Sequence, residues 1–146
     1  MDRNDRLDED EILAWARLLK ASTRMVDAAE RDLKAAGLPP LAWYDALLEL
    51  HRAAPAGLRP GDLEKKMLLP QYNVSRLIDR LETAGHVERL PHPEDGRGQV
   101  VQITEAGTAL IRRMWRVYRA TIAANLAGKL GKKDAGKLAE LLGRLL

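Results

Sequence analysis

The 146-residue chain has no cysteine. Disulfides, thiolate metal sites and thiol redox switches are therefore excluded. Aromatic residues make up only 4% of the chain, with no phenylalanine, so its apolar stripes are mostly aliphatic. The only serines are Ser22 and Ser75, and neither lies in a Gly-x-Ser-x-Gly turn; the nucleophile elbow of a serine hydrolase is absent. The segment Asp95-Gly96-Arg97-Gly98 is glycine-rich, but it separates two strand-like stretches and does not open a helix, so it is no phosphate loop. His51, His86 and His92 share no helical spacing and have no cysteine beside them. No metal site, cofactor or enzymatic activity is expected. No apolar run approaches the ~18 residues that span a bilayer. Met1–Glu11 is charged and acidic on balance, unlike a signal or transit peptide, so a cytoplasmic, membrane-free protein is expected.

What is present is a mildly basic chain, with formal net charge +3 and a pI of about 9.3. That balance permits a polyanionic partner without demanding one. The basic residues are unevenly placed. Arg112, Arg113, Arg116 and Arg119, then Lys129, Lys132, Lys133 and Lys137, lie in the last third, and Arg76, Arg80, Arg89 and Arg97 lie before them. A run such as Arg112–Arg119 steers DNA or simply forms a solvated helix face. The length favours one domain with its own core.

Most of the chain has helical periodicity. Ile12, Trp15, Leu18, Leu19, Met25, Val26, Ala29 and Leu33 place one stripe along a helix over Asp10–Ala36, which Gly37 and Pro39-Pro40 end. A second helix is expected over Pro40–Ala54 and a short one over Pro60–Leu68. A fourth, over Pro70–Ala84, has Pro70 in its first turn, Val74, Leu77, Ile78 and Leu81 inward, and Gly85 at its end. The period then changes. Val87–Leu90 and Gln99–Ile103 read as strands flanking an exposed loop. Thr104 caps a long helix over Glu105–Ala127, Gly128 and Gly131 interrupt it, and a last helix runs over Lys132–Leu146. The fold class expected is mainly α with a small β-hairpin wing: a winged helix-turn-helix with N- and C-terminal dimerisation helices.

A short helix, a tight turn and an amphipathic helix form a helix-turn-helix candidate. Its second helix enters a DNA major groove with its N-terminal residues at the base edges. Here those residues are Pro70, Gln71, Tyr72, Asn73, Ser75 and Arg76, with Arg80 on the same face. Arginine pairs with guanine, and glutamine and asparagine with adenine, through paired hydrogen bonds. In the hairpin loop, Arg97 lies between Gly96 and Gly98 and can approach a phosphate or a narrow minor groove, with His92 near phosphate. Asp95 is placed to orient Arg97 by a salt bridge.

Two stretches carry a family resemblance. Leu81-Glu82-Thr83-Ala84-Gly85-His86-Val87-Glu88-Arg89, followed by Asp95-Gly96-Arg97 through Ile103-Thr104-Glu105-Ala106-Gly107, resembles the signature of MarR-family transcriptional regulators. That family shows Leu-Glu-x-x-Gly-x-Val-x-Arg, then an Asp-x-Arg wing ending in a Leu-Thr-x-x-Gly helix start. Departures are Ile103 for leucine, Gly96 where many members carry a second arginine, Arg59 where serine or threonine usually caps the short helix, and Leu69 ahead of Pro70 where a polar cap is common. The resemblance implies a homodimeric, ligand-responsive repressor on a near-palindromic operator in double-stranded DNA.

It also implies an effector pocket between the dimer helices and the DNA-binding lobe, often for small aromatic or phenolic anions. Trp15, Trp43, Tyr44, His51 and Trp115 are candidates for it, although large aromatics also serve as core and interface packing. The division expected is one domain over 1–146, with a DNA-binding lobe over 40–107 and dimerisation helices over 10–37 and 105–146. Independently of the resemblance, the last helix stays apolar through Leu145 and Leu146, a face that a second subunit would cover. Two recognition helices would then meet successive major grooves roughly 34–36 Å apart. Two other classes compete: a winged-helix module that binds protein, which Arg76, Arg80 and Arg97 disfavour, and a small enzyme using the inter-lobe cavity, for which no nucleophile or metal constellation is present.

Overall fold

Capping chemistry sets the first helix of the computed structural model, which describes residues 6–146; Met1–Asp5 of the acidic opening segment lie outside them. Helix α1 spans Glu9–Ala35. The Asp8 carboxylate accepts from the Glu11 amide at 2.8 Å, and the Glu11 carboxylate accepts from the Asp8 amide at 2.9 Å, a reciprocal capping box. At the other end the Leu38 amide donates to the Leu33 carbonyl and the Gly37 amide to the Lys34 carbonyl. Burial along α1 is lopsided. Ala28, Ala29 and Leu33 are buried, whereas Ile12, Leu13, Trp15 and Leu19 are exposed.

Helix α2 spans Leu41–Arg52 and α3 spans Pro60–Lys66. Pro60 starts α3 without a side-chain cap from Arg59. Helix α4 spans Val74–Thr83, so it begins four residues after the expected start at Pro70. The reason is Asn73. Its backbone is extended (φ −150°, ψ 88°) and its Oδ1 accepts from the Arg76 amide at 3.0 Å, so the helix nucleates on that cap. Gly85, with φ +82°, ends α4 while the His86 amide donates back to the Leu81 carbonyl, a closure that a residue with a Cβ adopts only under strain.

Strands β1 (Val87–Pro91) and β2 (Gln99–Ile103) pair antiparallel, with Val87 opposite Ile103 and Pro91 opposite Gln99. Leu58 bridges to Val101 by two backbone hydrogen bonds, which attach the segment before α3 to the hairpin. Gly57 makes this approach possible. Its φ is +79°, and a Cβ there would lie 2.5 Å from the Val101 carbonyl oxygen.

Helix α5 spans Glu105–Ile122 behind the Thr104 cap, whose hydroxyl accepts from the Gly107 amide at 3.1 Å. The chain stays helical through a π turn at Ala123–Ala127 and into α6, Gly128–Gly143. The expected double interruption reduces to one. Gly128 keeps right-handed helical angles, and the axis breaks at Gly131 (φ 77°, ψ 168°). The main core gathers Leu47 and Leu50 of α2, Leu63 of α3, Ile78 and Leu81 of α4, Val101 of β2, and Leu110 and Met114 of α5, all buried. It clamps α4 on one face only.

Candidate nucleic-acid interface and inter-lobe cavity

Helix α4 divides cleanly by period. Val74, Leu77, Ile78 and Leu81 are buried, while Ser75, Arg76 and Arg80 are exposed on the other side. Among the described residues, neither Arg76 nor Arg80 has a carboxylate within ion-pairing distance, and the same holds for Arg97. Pro70, Gln71 and Tyr72 lie ahead of the helix in the connection from α3, with Pro70 and Tyr72 exposed and Gln71 half-buried. Tyr72 projects fully into solvent. Asn73 is exposed, and its Oδ1 accepts from the Arg76 amide as the cap, which fixes the side chain against the start of α4. These residues therefore fall in two parts: a non-helical approach, Pro70–Asn73, and an exposed helix face, Ser75–Arg80.

Asp79, the acidic residue on that face, is turned to a different use. The Arg89 guanidinium donates to Asp79 at 2.6 Å and to Glu82 at 2.9 Å, and the Arg89 amide donates to Glu82 at 3.2 Å. One arginine thereby fastens β1 to α4 and offsets one of the two negative charges beside Arg76 and Arg80.

The wing loop closes on itself. The His92 amide donates to the Gly98 carbonyl at 2.8 Å and the Gly98 amide to the Asp95 carbonyl at 3.0 Å. Asp95 does not form the expected side-chain pair with Arg97. It accepts from the Arg97 backbone amide at 3.1 Å and pairs with Arg59 at 3.6 Å. A carboxylate two residues before a tight turn reaches the following amide, an Asx turn, which sends the Arg97 side chain outward. That amide, aided by Arg59 and opposed by slight desolvation, holds the Asp95 carboxyl below the usual range. His92 is half-buried, and its Nδ1 accepts from the Glu94 amide. The four arginines Arg112, Arg113, Arg116 and Arg119 are exposed on α5.

A second feature lies between the head and the long helices. A cavity of 440 Å³, open on one side, is lined by α1, α2, α5, the π turn and the α3–α4 connection, a size that suits a small ligand. Of the aromatic candidates from the sequence, it takes Tyr44. Trp43 packs edge-on against His86, at 5.9 Å between ring centroids. Trp115 stacks on Tyr44 at 6.3 Å, outside the lining. His51 is exposed on the last turn of α2, and Trp15 is exposed on α1. Trp43 projects from another side of α2 than Tyr44, whereas His51 and Trp15 lie two turns along their helices from Tyr44 and Ser22, on the same faces but past the ends of the cavity.

Tyr118 and Asp45 line the cavity with Tyr44. Burial raises both phenols above their ordinary value; Tyr118 adds to the shift at Tyr44 while Arg52 opposes it, and Asp45 adds to the shift at Tyr118. Asp45 is buried, and its two carboxylate oxygens accept from the Leu68 amide at 3.0 Å and the Leu69 amide at 2.8 Å. Desolvation raises its carboxyl, the two amides pull it down, and Glu49 adds to the rise; the net direction is up. The sequence reading did not single out Asp45. Its signal was available, because an acid three residues before Leu48 and four after Leu41 falls on the inward stripe of α2.

A helix-turn-helix with a two-stranded wing and two flanking sets of helices defines a winged helix-turn-helix regulator fold. Comparison with known proteins narrows the class. The profile of the MarR family matches residues 36–98. Over 91 residues the chain is 31% identical to the multiple antibiotic resistance protein MarR of Escherichia coli, covering 62% of this chain and 63% of that protein. Over 102 residues it is 31% identical to the transcriptional activatory protein BadR of Rhodopseudomonas palustris, covering 69% and 55%. The matched part thus spans about three fifths of the length of these curated relatives. A crystal structure of a MarR family transcriptional regulator from Streptomyces coelicolor, in complex with DNA, superimposes with a TM-score of 0.85 at 26% identity, covering 99% of this chain and 91% of that one. Residues 36–98 thus match the MarR family, and the chain as a whole is similar to a solved MarR family regulator.

Proposed function

We propose that this chain is a sequence-specific regulator of transcription that binds double-stranded DNA as a homodimer. The observation that carries the reading is the face of α4: Ser75, Arg76 and Arg80 stand exposed on a helix whose opposite face is locked into the core, while Arg89 engages the acids beside them, Asp79 and Glu82, and leaves Arg76 and Arg80 unpaired among the described residues. Arg97 on the wing supplies a second, flanking cation. The solved relative from Streptomyces coelicolor in complex with DNA supports the same use of this fold. In this reading 40–107 is the DNA-binding lobe, and 10–37 with 105–146 form the dimer. Pro70, Gln71, Tyr72, Ser75, Arg76 and Arg80 face the major groove, while His92 and Arg97 approach the backbone or minor groove. Asn73 acts mainly as the helix cap. The inter-lobe cavity takes an effector that shifts the population of head orientations. Repression of the target promoter is the output. The curated relatives include one whose name states activation, so a promoter-reporter assay reads the sign directly.

DNA selected in vitro from a random pool tests the core of the reading. The recovered site should be a near-palindrome, and affinity should fall steeply with added salt as counterions are released. Arg76→Ala should cost about 1–3 kcal/mol and relax preference at one base pair if the guanidinium reads guanine. Salt-insensitive binding, or recovery of no sequence, would reject a DNA-binding role and favour the protein-interaction module.

A further inference from the structure

The inter-lobe cavity has a charge character of its own. Its walls are mainly aliphatic, from Met25 and Val26 of α1, Leu41 and Leu48 of α2, and Ile122 and Leu126 near the π turn. Its polar groups are the hydroxyls of Ser22, Tyr44, Tyr118 and Thr121, the Asn125 amide and the Asp45 carboxylate. No lysine, arginine or histidine is among the lining residues. The nearby cation, Arg52, is exposed and paired with Glu49 at 2.9 Å. Besides Asp45, three lining groups are already engaged: the Ser22 hydroxyl donates to the Leu19 carbonyl at 2.9 Å, the Thr121 hydroxyl donates to Asp32 of α1 at 2.6 Å, and the Asn125 amide donates to the Thr121 carbonyl at 2.8 Å. An anionic ligand entering here would lose its hydration, meet a buried carboxylate and find no cation. A cation would find one acceptor of opposite charge in an apolar surround, where such attraction is least screened.

We infer that the cavity takes a small lipophilic cation, an aromatic or alkyl amine, with its ammonium at Asp45 and its apolar body against the aliphatic walls. The inference rests on the effector reading of this cavity and replaces the phenolic anion that the family resemblance implies. Each Asp45 oxygen accepts one backbone amide and retains a further lone pair for an ammonium hydrogen. The same carboxylate pins Leu68 and Leu69, the two residues before Pro70. Ligand charge and the approach to α4 therefore share one group, which gives an occupant a direct mechanical route to the DNA-reading face.

Calorimetric titration of the full chain with phenylbutylamine, phenylbutanol and phenylbutyrate at neutral pH tests this, since the three differ chiefly in charge. The amine should bind at least about tenfold more tightly than the carboxylate, with the alcohol between them. In Asp45→Asn, with its fold checked by circular dichroism, amine and alcohol should come within about twofold of each other. The wild-type ordering is informative even if that variant fails to fold. Equal or tighter binding of the carboxylate overturns the inference. So does an amine preference that survives Asp45→Asn, or binding of none of the three, as when a second copy of the chain fills the cavity. DNA does not enter this titration, so a chain that prefers the amine but binds no DNA refutes the regulator reading and leaves the ligand class standing.

Discussion

Asp45 carries an unusual load for one residue. It is buried in an apolar helix face, yet it holds two backbone amides of another segment. Because its folded carboxyl is raised, the native state binds the proton more tightly than the unfolded chain does. Its linkage term therefore favours the native state least once pH exceeds the folded pKa: stability falls as pH rises from the unfolded value, about 3.9, through the folded one. Denaturant melts across this range should show the wild type losing stability relative to Asp45→Asn as pH rises. The opposite slope would mean that the two amides outweigh desolvation. Gly57 is the second residue whose chemistry is dictated by a neighbour. Gly57→Ala combines a left-handed backbone with a clash on Val101, and should cost about 2–4 kcal/mol in a urea melt. A cost under about 0.5 kcal/mol would mean that the Leu58–Val101 bridge is dispensable.

At the scale of elements, the recognition helix shows how local signals compete. The sequence places its start at Pro70, because proline suits a first turn. The helix starts at Val74 instead, because Asn73 supplies a side-chain acceptor and the carboxylate of Asp45 holds Leu68 and Leu69 in a non-helical path. The sequence reading takes Asn73 as a base reader, and the contact that holds the preceding segment out of the helix spans 23 residues of sequence. Asn73→Ala should lower stability by about 1 kcal/mol through loss of the cap. It should also weaken DNA binding for all sequences alike, since the helix start frays. Loss of discrimination at a single base pair, with stability unchanged, would instead make Asn73 a base reader. The wing follows the same logic. The loop and both strands were legible from alternation and turn residues, but the partner of Asp95 was not, because Arg59 reaches it from the segment before α3.

For the whole molecule, the distribution of uncovered apolar surface matters most. Trp15 and Leu19 on α1 are 68% and 53% exposed, and Leu130 and Leu141 on α6 are also exposed. These residues belong to the flanking helices and leave the head's core intact. Such faces are costly in water and suit a two-fold partner. Light scattering at micromolar concentration should give twice the 16.3 kDa chain mass, and Leu19→Glu should shift the population toward monomer. A wild-type monomer would remove the two-fold arrangement, and with it the expectation of a palindromic site.

The order of helices, the hairpin, the Gly37 and Gly85 stops and the inward stripe of α4 were all present in the chain as local patterns. Periodicity and capping act over a few residues, so they can be read without a fold. The α4 start, the Arg59–Asp95 and Arg89–Asp79 pairs, and the choice of Tyr44 over Trp15, Trp43 and His51 as a cavity residue required the folded chain. Each depends on groups far apart in sequence meeting at a set angle, and on which of several equally suitable side chains faces the gap. The charge of that gap is the clearest case: an ordinary aspartate in a helical run becomes its one buried lining carboxylate only when α1, α5 and the α3–α4 connection close around it.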